Sequence, residues 1–236
     1  MAHGLVDTDF LCDLAACAQN LHVAGALSPR VLRAIARHLA DIEVQHSVET
    51  GSGASTLLFS RLSRDHTVFA VDGGSGSVIK VKSSALLDPA TTRFVEGPTQ
   101  ITLPAYRFSH TLQAALLDGP HAFPFPVLEY YYVYPHLDAG ALLILDDIHI
   151  RSVHDFFRFL KADTMFRLID VVERTAFFQR TSAPLFDPFG DGWSLQGYNR
   201  QLLLRFVWWE RTKMAVPPGI RRAIKGIWKG MHASSS

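Results

Sequence analysis

Hydrophobic positions along the chain alternate between helical and strand-like patterns. Residues 8–20 and 28–40 carry apolar residues at helical spacing, and Ser28 followed by Pro29 predicts the start of the second helix. From residue 43 onward, short apolar runs alternate with helical patterns. Strands that are apolar on both faces are typical of a parallel sheet covered by helices on both sides.

The elements predicted after residue 43 form a regular series. They are strands at 43–49, 67–72, 93–97, 112–119 and 140–147, helices at 54–62, 125–137 and 151–163, and two strands or a hairpin at 165–175 and 176–181. Ligands of such sheets bind at the carboxyl ends of the strands. Polar residues follow four of the strands, so we expect them at one edge of the sheet: residues 49–53, Asp72, Asp118, and Asp146 with Asp147.

Composition indicates a globular protein. The 236 residues are 48% hydrophobic and 19% charged, which predicts one domain over residues 1–236. Within it we expect an N-terminal helical cap (1–42), a ligand-binding core (43–180), and a substrate-side loop followed by a basic C-terminal helix (181–236). Although the formal net charge is +1, the segment from Arg205 onward has seven Lys or Arg and one acid, so a basic surface is predicted there.

The N-terminus and the lengths of the apolar runs predict a cytoplasmic protein. Asp7, Asp9 and Asp13 interrupt the first apolar residues, which is unlike a signal peptide. No apolar run approaches the roughly 20 residues of a membrane span. Cys12 and Cys17 are too few for a zinc site and are not expected to form a disulfide.

The turn "VETGSGAST", residues 48–56, predicts a ligand site between a strand and a helix. It has no lysine, which disfavours a triphosphate-binding loop, and Thr56 replaces the third glycine of a dinucleotide fingerprint. Glu49 suits the ammonium group of S-adenosylmethionine (SAM), and Ser55 and Thr56 at the helix start suit its carboxylate. Asp72, at the end of the next strand, suits the ribose hydroxyls.

These residues resemble the SAM-binding face of the class I methyltransferases, in which an acid, a G-x-G turn and a second acid follow in this order. The resemblance implies a Rossmann-like, doubly wound, mostly parallel α/β sheet, with N-terminal helices and a C-terminal helical tail added here. It implies SAM as the cofactor. The predicted cofactor-binding residues are Glu49, Gly51, Ser52, Gly53, Ser55, Thr56, Asp72 and Asp118.

Three acids at neighbouring strand ends predict a metal site. Asp146 and Asp147 directly follow the apolar residues 142–145, and two adjacent carboxylates there are costly without a compensating cation. With Asp118 they form an oxygen site suited to Mg²⁺.

The segments "LLDGPH" and "YPHLDAGALLILDDIH" extend the resemblance to the metal-dependent sugar and natural-product O-methyltransferases, over about residues 44–160. In that group, the matching acids bind Mg²⁺, which implies Asp118, Asp146 and Asp147 as metal ligands. Some members use a histidine three residues after the first acid as general base, and others an acid two residues after it. Because Pro120 occupies the second position, the resemblance implies His121 as the base. His149 is a second candidate catalytic residue.

The sequence therefore predicts SAM-dependent, divalent-metal-assisted O-methylation of a hydroxyl on a small-molecule acceptor, either a sugar or another natural product. Three alternatives stay open: a metal-independent methyltransferase, a SAM-binding protein without catalysis, and a relative of the cephalosporin hydroxylases. No nucleic-acid partner and no membrane span are expected. A homo-oligomer is compatible with the sequence.

Overall fold

A computed structural model of the chain describes residues 7–21, 26–72, 74, 76–193, 196–200 and 207–208. The chain divides into two compact units, residues 1–190 and 191–236. The first contains the fold and the site treated below. In the second, residues 197–200 are helical, and the predicted basic C-terminal helix lies outside the described residues.

A seven-stranded sheet forms the centre of the first unit. Its strands are β1 (Val44–Thr50), β2 (Ser63–Ala70), β3 (Thr92–Glu96), β4 (Leu112–Leu117), β5 (Leu137–Leu145), β6 (Phe166–Val172) and β7 (Thr175–Arg180). They lie in the order β3-β2-β1-β4-β5-β7-β6, and every neighbouring pair is parallel except the two that involve β7. The predicted doubly wound, mostly parallel sheet is thus confirmed.

Helices cover both faces of this sheet. They are α1 (Thr8–Leu21), α2 (Pro29–Leu39), α3 (Ala54–Leu62), α4 (Ser77–Lys82), α5 (Thr99–Ala105), α6 (Phe125–Val133) and α7 (Arg151–Ala162). Because successive strand residues point to opposite faces, Ala114 and Leu116 of β4 pack in the core beneath α1–α3. Ala115 and Leu117 pack in the core shared with α6 and α7. Both faces of β4 are therefore dry, which explains its continuously apolar sequence.

Helix α2 begins where the sequence predicts. Ser28 has extended backbone angles, and its Oγ accepts a hydrogen bond from the Val31 N–H at 3.3 Å. Pro29 occupies the first helical position, where a backbone N–H has no partner within the helix. The missing N–H of proline therefore costs no hydrogen bond there.

We expect Ser28→Ala to lower the free energy of unfolding by about 1 kcal/mol, because it removes this N-cap acceptor. Ser28→Asp, which retains an acceptor oxygen, is the matched control and should keep the stability. Urea denaturation followed by circular dichroism measures both. Equal midpoints for Ser28→Ala and the unsubstituted chain would contradict the expectation.

Three elements differ from the sequence prediction. Helices α4 and α5 were not predicted: both are short, and α5 follows Pro98 and contains Pro104, which the sequence pattern treats as breaks. Strand β2 begins at Ser63, four residues earlier than predicted. In its polar first half, Ser63 and His66 are buried, and Ser47 Oγ lies 2.6 Å from Ser63 Oγ and 2.7 Å from His66 Nδ1.

The two cysteines are free, as predicted. Among the helices within the described ranges, none combines the length and the hydropathy that crossing a membrane requires.

Candidate active site

A cavity of about 590 Å³ opens at the carboxyl ends of β1, β2 and β4. It lies where the strand order reverses between β1 and β4, the position at which doubly wound sheets bind ligands. Its volume is within the roughly 300–1,000 Å³ of small-molecule sites. The lining residues are Ala26, Leu27, Gly51–Ser55, Phe69–Val71, Ser77, Pro98, Thr99, Gln100, Asp118–His121 and Phe125.

The glycine turn after β1 forms one wall of this cavity. Gly51 has φ +96°, and a Cβ on it would lie 2.6 Å from the backbone oxygen of Asp118. A side chain is therefore excluded both by backbone conformation and by the approach of the Asp118 loop. Ser52, Gly53 and Ser55, three of the predicted cofactor-binding residues, line the cavity.

Two predicted cofactor residues lie beneath the turn instead of lining the cavity. Thr56 Oγ1 accepts a hydrogen bond from the Gly53 N–H at 3.1 Å and donates one to Glu49. Glu49 Oε1 also lies 3.2 Å from His66 Nε2, and all three side chains are buried. The structure thus gives Glu49 and Thr56 partners within the chain, which fix the shape of the turn from below.

Asp72 follows β2, as predicted, but its neighbour Val71 lines the cavity. Asp72 Oδ1 accepts a hydrogen bond from the Gly76 N–H at 2.8 Å, just before α4. Its carboxylate therefore bonds to the residue directly before α4.

Asp118 and His121 line the same cavity and form a cluster with Asp147. Each of the three offers a ligand atom within 4.8 Å of the others. His121 Nε2 lies 3.5 Å from Asp118 Oδ1 and 3.3 Å from Asp147 Oδ2. Asp147 has φ +53°, in the left-handed region that aspartate tolerates better than most residues. The sheet edge thus brings together two of the predicted metal ligands and the predicted base.

Asp146 lies near this cluster but is not one of its three members. It is buried, and its Oδ1 accepts a hydrogen bond from the hydroxyl of Thr175 at the start of β7. The sequence assigns Asp146 to the metal, whereas in the structure His121 occupies the third place beside Asp118 and Asp147.

The pKa values of two residues in the cluster are shifted. Burial raises the pKa of Asp118 from 3.8 to about 7, with the carboxylates of Asp146 and Asp147 raising it further and His121 opposing the rise. The contact with Asp118 raises the pKa of His121, and partial burial opposes this. A cation would relieve the repulsion among the carboxylates. Oxygen donors that solvent can reach, within a few ångströms of one another, fit a divalent cation such as Mg²⁺.

The remaining histidine candidate lies at the outer side of the cluster. His149 Nδ1 is 3.4 Å from Asp147 Oδ1, and its side chain is half exposed. Arg174, in the turn between β6 and β7, places its Nε 3.8 Å from the same oxygen. Asp147 therefore faces His121 on one side and His149 with Arg174 on the other.

Sequence reasoning missed the buried acid Glu129 on α6. Its Oε2 accepts a hydrogen bond from Thr50 Oγ1 at 2.7 Å. Burial raises its pKa from 4.5 to about 7. A glutamate between Leu128 and Tyr130 in an otherwise apolar helix was the available signal, since buried acids need partners.

Comparison with known proteins identifies the type of domain. Residues 48–148 match the family model described as a methyltransferase domain. This range includes the glycine turn, the Asp118 loop and the paired acids. Residues 48–148 thus resemble a methyltransferase domain, and they lie within the doubly wound sheet described above.

The methyltransferase domain resembles many solved structures. A protein from Klebsiella pneumoniae described as an O-methyltransferase has a TM-score of 0.58 at 12% identity, covering 75% of this chain and 91% of that one. The O-methyltransferase TomG from Streptomyces achromogenes, in complex with SAM, has a TM-score of 0.55 at 14% identity, covering 75% and 91%. The methyltransferase PaMTH1 from Podospora anserina, bound to S-adenosylhomocysteine (SAH), has a TM-score of 0.56 at 14% identity, covering 75% and 89%.

No curated protein sequence matches this methyltransferase significantly. The resemblance to class I methyltransferases is nevertheless confirmed by the family model and by the fold. Both support the predicted enzyme class at the level of a methyltransferase.

Proposed function

We propose that this methyltransferase transfers the methyl group of SAM to a hydroxyl of a small-molecule acceptor, a sugar or another natural product, with the help of a divalent cation. One observation carries the proposal: Asp118 both lines the cavity at the glycine turn and belongs to the cluster with His121 and Asp147. A donor pocket and an acid–base cluster that share a residue suit a reaction in which a hydroxyl must be deprotonated beside an electrophile.

The glycine turn would form part of the pocket for SAM, the methyl donor. Gly51, Ser52 and Gly53 present backbone to the cavity, which lets a ligand approach closely, and Ser55 begins the helix whose free N–H groups suit a carboxylate. Glu49 and Thr56 serve the donor by holding this turn, and Asp72 by ordering the segment after β2. Bound SAM would supply the electrophilic methyl group.

The cluster of Asp118, His121 and Asp147 would hold the cation and the general base of the proposed reaction. Asp118 and Asp147 would hold the cation, with Asp146 contributing charge from its buried position behind them. A Mg²⁺ ion there would supply Lewis acidity that lowers the pKa of a hydroxyl. His121 would accept the hydroxyl proton at Nε2, where the two carboxylates stabilise its charged form. The Ser152 hydroxyl donates to the His121 backbone oxygen and holds this residue in place.

The test is methyl transfer from radiolabelled SAM to a panel of vicinal diols, catechols and hydroxylated glycosides, with Mg²⁺ and with EDTA. We expect labelled product only with Mg²⁺. His121→Gln should lower the rate about 100-fold because it removes the proton acceptor.

His154→Gln is the matched control, since His154 is exposed and contacts the Ile148 backbone oxygen at 3.1 Å. Its rate should be unchanged. Activity that EDTA does not affect would favour the metal-independent alternative. SAH binding without product from any acceptor class in the panel would favour the non-catalytic alternative.

A further inference from the structure

A buried hydrogen-bond chain connects α6 to the loop that carries Asp118. The Asp118 N–H donates to Thr50 Oγ1 at 3.1 Å and to the Thr50 backbone oxygen at 3.2 Å. Thr50 Oγ1 in turn donates to Glu129 Oε2 at 2.7 Å. Thr50 and Glu129 are at most 1% exposed, so water does not compete for these bonds.

The Asp118 N–H can only donate, so Thr50 Oγ1 is the acceptor in the bond between them. A hydroxyl has one proton and two lone pairs. Because the Thr50 proton goes to Glu129, a lone pair is left to accept the Asp118 N–H. Glu129 therefore sets the orientation of the Thr50 hydroxyl, and through it the position of the Asp118 backbone.

The register of the sheet shows where this hydrogen-bond chain acts. Thr50 pairs with Leu117 as the last residues of the β1–β4 ladder. Asp118 is the first residue beyond the ladder, and its N–H still donates to the Thr50 backbone oxygen at 3.2 Å. The Thr50 hydroxyl gives this N–H a second acceptor, so the buried Thr50 side chain is bonded to a residue of the acid cluster.

Glu129 also touches the next residue of the loop directly. A Cβ on Gly119 would lie 2.0 Å from Glu129 Oε1 and 2.6 Å from its Cδ. Glycine is thus needed at 119 because the buried carboxylate packs against its backbone. Glu129 supports both Asp118 and Gly119 from below.

We propose that Glu129 and Thr50 are positioning residues for the cation site, which hold Asp118 at the distance from His121 and Asp147 that cation binding requires. This inference rests on the proposed metal role of the cluster. Groups that orient metal ligands through hydrogen bonds typically change metal affinity by about 10–100-fold when removed.

The test uses the full chain, with Mn²⁺ and SAH as probes in separate titrations. Thr50→Val keeps the volume and branching of the side chain but removes the hydroxyl. We expect it to weaken Mn²⁺ binding about tenfold or more, as measured by electron paramagnetic resonance of free Mn²⁺. SAH affinity, measured by calorimetry, should stay close to that of the unsubstituted chain. Thr50→Ser restores the hydroxyl and should restore Mn²⁺ affinity.

Two further variants separate positioning from general damage. Thr67→Val makes the same change at another buried threonine, at the 3.4 Å contact of Thr67 with the Tyr106 hydroxyl, and should leave both affinities unchanged. Gly119→Ala should weaken Mn²⁺ binding through its clash with the Glu129 carboxylate.

The outcomes are distinguishable. Unchanged Mn²⁺ affinity in Thr50→Val would overturn the inference and leave the proposed function intact. Equal losses of SAH and Mn²⁺ affinity would also overturn it, because they would indicate damage to the glycine turn. An unsubstituted chain that binds SAH but not Mn²⁺ would overturn the metal role in the proposed function, and this inference with it.

Discussion

Gly51→Ala is expected to abolish SAH binding and to destabilise the fold. Gly51 has φ +96°, and its new Cβ would lie 2.6 Å from the backbone oxygen of Asp118. Backbone atoms cannot move aside as the end of a side chain can, so the turn and the Asp118 loop must separate. We expect a loss of SAH affinity of about 100-fold or more, equivalent to roughly 3 kcal/mol.

Gly140→Ala is the matched control for this substitution. Gly140 in β5 has φ +91°, nearly the same backbone conformation, but a Cβ there would meet no atom within 4 Å. Gly140→Ala should lower the free energy of unfolding by about 1 kcal/mol because of the backbone conformation alone, and it should leave SAH affinity unchanged. Calorimetric titration of SAH and thermal unfolding of both variants measure the two effects. Equal SAH affinity in both variants would show that the close approach at Gly51 does not matter for the donor.

Asp118→Asn is expected to eliminate methyl transfer while making the protein more stable. The residue lines the donor cavity and belongs to the acid cluster, so its carboxylate serves both parts of the proposed reaction. Lewis-acid assistance is worth several kcal/mol, so we expect activity to fall by about 1,000-fold or more. Removing one carboxylate from the crowded edge should raise the free energy of unfolding by about 1–2 kcal/mol near neutral pH.

The stability gain should depend on pH with a defined sign. The pKa of Asp118 is raised from 3.8 to about 7 in the folded chain, so the folded state binds this proton more tightly than the unfolded state. The stability contributed by this group is therefore present below the ordinary pKa and is lost as the pH rises through about 7. Asp118→Asn should remove this part of the pH dependence.

Denaturant unfolding of both forms between about pH 8 and about pH 5.5, without added metal, measures this difference. The unsubstituted chain should gain more stability on acidification than Asp118→Asn. Part of the dependence should remain in the variant, because the pKa of buried Glu129 is raised in the same direction. Identical pH profiles would contradict the raised pKa of Asp118.

The sequence predicted the central architecture because its strands are unusually uniform. Strand β5 ends in five consecutive apolar residues that are buried on both faces, a pattern with few structural alternatives. The same reasoning failed at the start of β2, where Ser63 and His66 read as loop residues. They are buried and bond to Ser47 on the neighbouring strand, a partner that local periodicity cannot reveal.

The sequence indicated residues for the candidate site but not the contacts that their side chains make. Asp118 and Asp147 lie close together, as we expected because the carboxyl ends of parallel strands share one edge of the sheet. Adjacent residues such as Asp146 and Asp147 look equivalent in sequence, yet Asp147 belongs to the cluster with Asp118 and His121, whereas Asp146 is buried and accepts a hydrogen bond from Thr175. The support from Glu129 was hidden for the same reason, because Thr50 and Glu129 are distant in sequence.

The antiparallel strand β7 sets how much of the chain a functional fragment must contain. The methyltransferase family model ends at residue 148, by which point every predicted site residue except His149 has been passed. Thr175 at the start of β7 bonds to Asp146, and β7 pairs with β5 from Leu142 to Leu145. A chain cut at the end of the matched region would keep the recognisable signature but lose the strand that closes the acidic edge. Any minimal methyltransferase made from this protein should therefore extend at least to Arg180.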